Sequence, residues 1–295
     1  MPAVADLTYE KPATLDELLK ICSSGKKARF LAGGTDLIPR WETDMQDVDT
    51  LIDIKGIDEL KGIKMEGDKL IIGSLTTLTE LHESALVKNE FPVLWEATCS
   101  FASVSIRNRA TIGGNICNAI PCADTAPPCL IYNSVARIIN SKGERGVPLK
   151  DFFLGNRRTA LNEKEVLKQI ILEKPTGKNG GAFVKLKRYR GEDLAQASIA
   201  ILITEKFNYS LAFGSLAATP RPATKIQDLL KGRELSSELI QEAKSLVKDE
   251  ISPITDVRAS REYRQLMSEI MLERGLETAS KRLQKIGPDY GHSII

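Results

Sequence analysis

The stretch Ala110-Thr111-Ile112-Gly113-Gly114-Asn115-Ile116-Cys117-Asn118-Ala119-Ile120-Pro121-Cys122-Ala123-Asp124-Thr125-Ala126-Pro127-Pro128 constrains the chain more than any other. It is too apolar and glycine-rich for an ordinary surface loop, and too full of turn formers for a helix. Adjacent glycines remove side chains where the backbone must come very close to something. N–H groups exposed in such a turn form a concave nest that suits an anion such as phosphate. Asn115, Asn118 and Asp124 add polar side chains around the same spot. A second turn of this kind lies earlier, at Phe30-Leu31-Ala32-Gly33-Gly34-Thr35-Asp36-Leu37. One Gly-Gly pair reads as a tight turn. Two pairs, each entered from an apolar run and followed by a small polar residue, read as two grips on one diphosphate.

Composition removes several other classes. At 295 residues the chain can hold two domains, each with its own core. Its 41 basic and 39 acidic residues leave a net charge of +2 and no footprint for nucleic acid. No apolar run approaches the length needed to span a bilayer. Met1-Pro2-Ala3-Val4-Ala5-Asp6 lacks the basic-then-apolar order of a secretion signal. The five cysteines, Cys22, Cys99, Cys117, Cys122 and Cys129, are an odd set and suit a reducing cytoplasm. His82 and His292 are the only histidines, which argues against a histidine-built metal site and a Ser-His-Asp triad. No catalytic or metal-ligating residue is assigned on this chain.

The pattern along the chain is α+β. Thr14-Leu15-Asp16-Glu17 is a capping box that opens a helix through Leu15, Leu18, Leu19 and Cys22. Ala28–Ala32 and Thr50–Ile54 read as strands, and Ile63–Met65 with Lys69–Gly73 as a hairpin. A helix capped by Ser74 or Thr76 carries His82 on its surface, and Phe91–Phe101 has helical spacing. Strands follow at Val135–Asn140, Val147–Leu149 and Glu165–Leu172. Pro175–Gly181 is the expected domain boundary. Beyond it, Ala182–Tyr189 alternates apolar and basic residues as a strand, with further strands at Ala197–Thr204 and Tyr209–Phe213. Helices are expected at Lys225–Leu230, Ser237–Asp249 and Ala259–Lys285, the last with Tyr263, Leu266, Met267, Ile270, Met271 and Ala279 facing the core.

Leu31-Ala32-Gly33-Gly34-Thr35-Asp36-Leu37, Thr111-Ile112-Gly113-Gly114-Asn115 and Asp124 together resemble the flavin subunit of the molybdenum hydroxylases, the xanthine dehydrogenase and carbon monoxide dehydrogenase family. The tail Ile254-Thr255-Asp256-Val257-Arg258-Ala259-Ser260-Arg261-Glu262-Tyr263-Arg264 resembles the start of that family's last helix, and Lys185-Leu186-Lys187-Arg188-Tyr189-Arg190-Gly191-Glu192-Asp193-Leu194-Ala195 its basic strand. The likeness covers nearly the whole chain and is closest to bacterial xanthine dehydrogenase subunits.

It implies a two-lobe FAD-binding domain over residues 1–176, with lobes of roughly 1–55 and 56–176, and a smaller α/β domain with an antiparallel sheet and helices over 177–295. It implies non-covalent FAD held by Phe30, Leu31, Ala32, Gly33, Gly34, Thr35, Asp36, Leu37, Phe101, Thr111, Ile112, Gly113, Gly114, Asn115, Asp124 and Lys185. Asp124 is expected to accept from a hydroxyl or ring N–H of FAD, and Lys185 to stabilise negative charge on the reduced ring. Partners implied are a large molybdenum-cofactor subunit and a small subunit with two [2Fe–2S] clusters, forming a cytoplasmic heterotrimer. Electrons would pass from the clusters through FAD to an acceptor such as NAD. Two other readings of the chain are a stand-alone FAD oxidoreductase and a subunit scaffold that has lost its flavin. Cys117, Cys122 and Cys129 read as packing beside the cofactor, since a [4Fe–4S] cluster wants four thiolates.

Overall fold

The computed structural model describes residues 7–44, 48–189 and 191–295. The opening hexapeptide and Arg190 lie outside the described residues. The first layer contains β1 (Thr8–Glu10), α1 (Leu15–Ser23), β2 (Ala28–Leu31), α2 (Trp41–Asp44) and β3 (Thr50–Asp53). Thr14 caps α1 by accepting from the Glu17 N–H. The Glu17 carboxylate returns to the Ala13 N–H at 2.8 Å, one residue before the cap. Leu15, Leu18, Leu19 and Cys22 recur at helical spacing and bury that face of α1. The strands are parallel in the order β1-β3-β2. The chain leaves β2 at its carboxyl end straight into the turn at Gly33-Gly34, where sheets of this type place their ligands.

The second layer is an antiparallel sheet in the order β4-β5-β10-β6-β7, built from β4 (Ile63–Glu66), β5 (Lys69–Gly73), β6 (Val135–Asn140), β7 (Gly143–Pro148) and β10 (Val166–Glu173). The small hairpin β8 (Phe153–Gly155) and β9 (Arg158–Thr159) stands apart from it. Between β5 and β6 run α3 (Leu78–Glu83), α4 (Ala85–Glu90), α5 (Pro92–Cys99), α6 (Val104–Arg107), α7 (Ile112–Cys117) and α8 (Ala126–Ile131), with α9 (Leu149–Phe152) after β7. Thr77, rather than Ser74 or Thr76, caps α3 through a reciprocal capping box with Glu80. His82 is half-buried rather than surface-facing, its ring stacked on Trp95 and its Nδ1 3.0 Å from the Thr98 hydroxyl.

The glycine-rich stretch corrects the expectation that it holds no helix. Thr111 starts α7, its hydroxyl accepting from the Gly114 N–H at 3.1 Å. Pro127 and Pro128 lie in the first turn of α8, where a missing N–H costs nothing. The turn formers there act as helix starters.

The C-terminal part is the antiparallel sheet β11 (Asn179–Leu186), β12 (Ala197–Thr204), β13 (Tyr209–Gly214) and β14 (Arg221–Pro222), with α10 (Thr224–Leu230), α11 (Ser237–Ser245), α12 (Val247–Glu250) and α13 (Arg261–Leu283). Asn179, Gly180 and Gly181, expected in a linker, already belong to β11. Their glycines permit close packing on opposite faces. A Cβ on Gly180 would stand 2.3 Å from the Ala279 carbonyl oxygen of α13, and one on Gly181 would stand 2.4 Å from Val93 of α5. Alternation along β11 therefore turns Ala182, Val184 and Leu186 toward α13, and Phe183 with Lys185 toward α5.

The expected stripe on α13 is also corrected. Tyr263 and Leu266 are 43% and 58% exposed, Met267 and Ile270 are half-buried, and Met271, Leu272, Gly275, Leu276 and Ala279 form the buried face. The first turn of the helix is held by polar contacts instead, with Arg264 donating to the Gln196 carbonyl and to Asp256 at 2.7 Å. Among the described residues no helix is long and apolar enough to cross a membrane.

Candidate functional site

A cavity of about 460 Å³ lies between the turn after β2 and the segment running into α7. Two structural reasons make Gly33 and Gly34 glycines. Gly34 has φ +76°, a left-handed conformation that strains any residue with a Cβ. A Cβ on Gly33 would stand 2.0 Å from the Arg109 carbonyl oxygen, so this glycine lets the first turn lie on the chain entering the second motif. The N–H groups of Gly33, Gly34, Thr35, Asp36 and Leu37 donate to no partner among the described residues. Five successive unspent donors on half-buried residues at a cavity wall are a strong anion site.

The second Gly-Gly pair works differently. Ile112 and Gly113 donate to the Thr76 and Ser74 carbonyls, both at 2.9 Å, and Asn115 donates to the Thr111 carbonyl at 2.9 Å. Its N–H groups are thus spent inside the protein, and the expectation of two matching grips is corrected to one nest facing a packed helix start. Gly113 is a packing glycine, because its Cβ would meet the Ser74 carbonyl oxygen at 2.5 Å. Gly114 is exposed toward the cavity, and the Asn115 side-chain oxygen accepts from the Thr125 hydroxyl at 2.6 Å. That bond fixes the amide and leaves its NH₂ free among the described residues.

Of the sixteen expected site residues, Phe30, Ala32, Gly33, Gly34, Thr35, Asp36, Leu37, Phe101, Thr111, Gly113, Gly114 and Asn115 line this cavity. Leu31 and Ile112 lie behind it, the first against Gly34 and the second in the core. Asp124 and Lys185 do not line it. They form a buried ion pair at 2.6 Å, with 6% and 2% of their side chains exposed. The Lys185 ammonium also donates to the Ser100 carbonyl at 3.0 Å, one residue from Phe101 in the cavity wall. The other Asp124 oxygen, Oδ1, is buried without a partner among the described residues. Burial pushes the Asp124 carboxyl up, against the pull of the Lys185 ammonium.

Sequence reasoning missed other walls of the cavity. Val166 and Leu167 reach it where β10 carries a bulge, a register break that no composition signal marks. Glu165 sits beside them and binds Arg145 at 2.6 Å. Arg157 comes from the tip of the β8–β9 hairpin, in a run of polar residues that reads as an ordinary turn. Cys117 lines the cavity and Cys129 lies in the core, and burial pushes both thiols up to about 12. Among the described residues no group of three or more His, Cys, Asp or Glu is placed to hold a metal ion.

Residues 5–175 match the family described as the FAD binding domain in molybdopterin dehydrogenase, and residues 181–279 match the CO dehydrogenase flavoprotein C-terminal domain. The chain belongs to the flavoproteins of the molybdenum hydroxylases. It is an oxidoreductase subunit of the two-domain α+β fold those flavoproteins share, and FAD is the family's cofactor. This flavoprotein is 31% identical to the xanthine dehydrogenase FAD-binding subunit of Escherichia coli O157:H7, over 94% of its own length and 98% of the relative's. It is 31% identical to the carbon monoxide dehydrogenase medium chain of Afipia carboxidovorans, over 93% and 96%. Its fold superposes on the carbon monoxide dehydrogenase of Hydrogenophaga pseudoflava with a TM-score of 0.89, at 31% identity and over 94% and 98% of the two chains.

The flavoprotein's own atoms fit the cofactor. The N–H groups from Gly33 to Leu37, free among the described residues, suit a diphosphate, and the Asp124 Oδ1 is a buried acceptor with no donor among them.

Proposed function

We propose that this chain is the electron-transfer subunit of a multisubunit molybdenum hydroxylase. The observation that carries the reading is the row of five unspent N–H groups from Gly33 to Leu37. Phe30, Ala32, Gly33, Gly34, Thr35, Asp36 and Leu37 form the diphosphate arm of the site, with Leu31 packed behind it. Thr111, Gly113, Gly114 and Asn115 form its opposite wall, backed by Ile112, with the Asn115 amide as a donor. Phe101 leads to Asp124 and Lys185, whose unpartnered oxygen and buried cation suit the polar edge of a flavin ring. Bound FAD supplies a carrier that accepts electrons singly from [2Fe–2S] clusters and hands them on in pairs to an acceptor such as NAD. The chain's own residues hold that carrier, shield one part of it from water and set the charge beside it.

The partners in this reading are a large molybdenum-cofactor subunit, which binds the organic substrate, and a small subunit with two [2Fe–2S] clusters, in a cytoplasmic heterotrimer. The chain divides into an FAD-binding domain over 1–176, with lobes of roughly 1–55 and 56–176, and a C-terminal domain over 177–295. The separate cores about Ile52 and Ile199 support that division, while Phe183, Ala200 and Leu202 join the central core and tie the two together. Titrating the flavin-free full chain with FAD, read by quenching of flavin fluorescence, tests the reading. Saturable one-to-one uptake that denaturation reverses is expected. A chain that takes up no FAD overturns it.

A further inference from the structure

Arg157 stands in an unusual place. It has φ +59°, a left-handed backbone in a residue with a long side chain, and its N–H is anchored to the Ala119 carbonyl at 2.9 Å. Such a conformation persists when surrounding contacts over-determine it. The guanidinium donates from a single nitrogen, Nη1, to Asp36 at 3.0 Å and to the Asn118 side-chain oxygen. Asp36 belongs to the nest after β2, and Asn118 caps α7, the helix that carries Gly113-Gly114. The hairpin therefore reaches across and binds both glycine motifs with one nitrogen. Nε and Nη2 have no partner among the described residues, and Arg157 lines the same cavity as the free N–H groups. A guanidinium carries five donors in a rigid fork, so three of them remain unspent among the described residues on a side chain that lines the cavity.

Resting on the FAD reading above, we propose that Arg157 is the side-chain cation for the cofactor's diphosphate, held in aim by Asp36 and Asn118. The nest alone offers dipoles and no full charge. It also brings the Asp36 carboxylate next to two phosphates, a like-charge arrangement that costs affinity. Arg157 resolves both: it neutralises Asp36 and directs its remaining donors at the anion. It is also a latch, because the bond to Asp36 ties the β8–β9 hairpin to the turn after β2, whereas the bond to Asn118 ties it to the opposite wall. A lysine reproduces the charge but not the fork.

The test uses the flavin-free full chain, its Arg157→Met and Arg157→Lys variants, Asp36→Asn, and the Arg157→Met/Asp36→Asn pair. Each is titrated with FAD by fluorescence quenching at low and high salt, and each flavin-free chain is melted as a folding check. Arg157→Met is expected to raise the dissociation constant roughly 10- to 100-fold, the loss of a charge-assisted contact. Arg157→Lys falls between it and the wild type. In the Asp36→Asn background the same Arg157→Met change costs less, because no bare carboxylate then faces the phosphates. Added salt narrows the gap between wild type and Arg157→Met. The assignment is overturned if the wild type binds FAD and Arg157→Met binds it equally well, or if the loss is the same with and without Asp36. A wild-type chain that takes up no FAD overturns the underlying reading and this assignment with it.

Discussion

Replacing Glu96 with leucine should destabilise the chain severely, although Glu96 touches no part of the cavity. Glu96 and Arg282 are each 4% exposed at the side chain and meet through two bonds, of 2.8 and 3.0 Å. The carboxylate also accepts the Phe183 N–H at 2.7 Å and the Gly291 N–H at 3.0 Å. It is one acceptor shared by β11, α13 and the C-terminal segment. Leucine in its place leaves a buried cation and two buried N–H groups without their acceptor. Breaking a buried pair by removing one partner costs about 3–5 kcal/mol. Arg282 keeps the carbonyls of Gly181, Pro288 and Asp289 and lies 3.9 Å over the Tyr290 ring, so the lower half of that range applies. The expected loss is about 3 kcal/mol, or about 1 M in urea midpoint with a slope near 3 kcal/mol/M. Trp95 reports the event by fluorescence, since Gly291 packs against its ring. The Glu96→Leu/Arg282→Leu pair should regain part of the loss, because two apolar side chains carry no desolvated charge. A single-variant cost below about 1 kcal/mol, or a double variant less stable than either single, would refute the reasoning.

Three further outcomes follow from the same contacts. Gly34→Ala strains a turn at φ +76°, whereas Gly67→Ala strains one at φ +58° in the distant β4–β5 hairpin, with open space around it. Each should cost about 1 kcal/mol of stability, but only Gly34→Ala should weaken FAD uptake in a fluorescence titration; equal effects on FAD would dissociate the nest from the cofactor. Glu165 is held down to about 2 from an ordinary 4.5, chiefly by its hydrogen bond to Arg145. A depressed carboxyl adds stability above its unfolded pKa and loses it as pH falls through the folded one, so the contribution should be complete above about pH 4.5 and gone near pH 2. Arg145 is 40% exposed, and solvent screening reduces the effect to about 1 kcal/mol. Unfolding free energies of wild type and Glu165→Gln from urea titration should differ by that amount at pH 7 and converge toward pH 2; a constant difference would contradict the linkage. Cys129, fully buried with its thiol pushed up to about 12, should alkylate in the native chain at least roughly a thousandfold more slowly than in urea. Rapid native labelling, followed by mass spectrometry, would contradict that burial.

The regular strands were legible because their patterns are local. Val135–Asn140 and Ala197–Thr204 have the bounds their apolar runs and flanking turns imply. The capped helix α1 was legible for the same reason. What escaped depends on neighbours that sequence spacing does not identify. Thr111 and the two prolines look like turn formers until Thr111 finds the Gly114 N–H and the prolines take first-turn positions. On α13 the apolar residues Tyr263 and Leu266 give way to Arg264, which is buried because carbonyls from two distant segments accept from it. The Gly-Gly pairs looked alike as sequence. One leaves its donors free and the other has Ser74 and Thr76 as partners, a difference made by the edge of β5 and the chain after it.

Lys185 shows how far the alternation argument reaches. Val184-Lys185-Leu186-Lys187 reads as a strand with one wet face, and period two does put Lys185 on the face opposite Val184. Both faces of β11 are covered, however, so Lys185 is enclosed. Such a lysine needs a counter-charge, and Asp124 supplies it with one oxygen while the other goes unsatisfied. An unsatisfied buried acceptor costs about 1–3 kcal/mol, a cost that selection for stability alone would remove. Replacing the pair by Asp124→Leu/Lys185→Met should therefore leave the flavin-free chain as stable as wild type or more so, and should weaken FAD uptake. Melting and FAD titration of the same protein separate the two effects. A double variant that loses stability yet keeps its FAD affinity would make the pair a structural one and would leave the orphan oxygen unexplained.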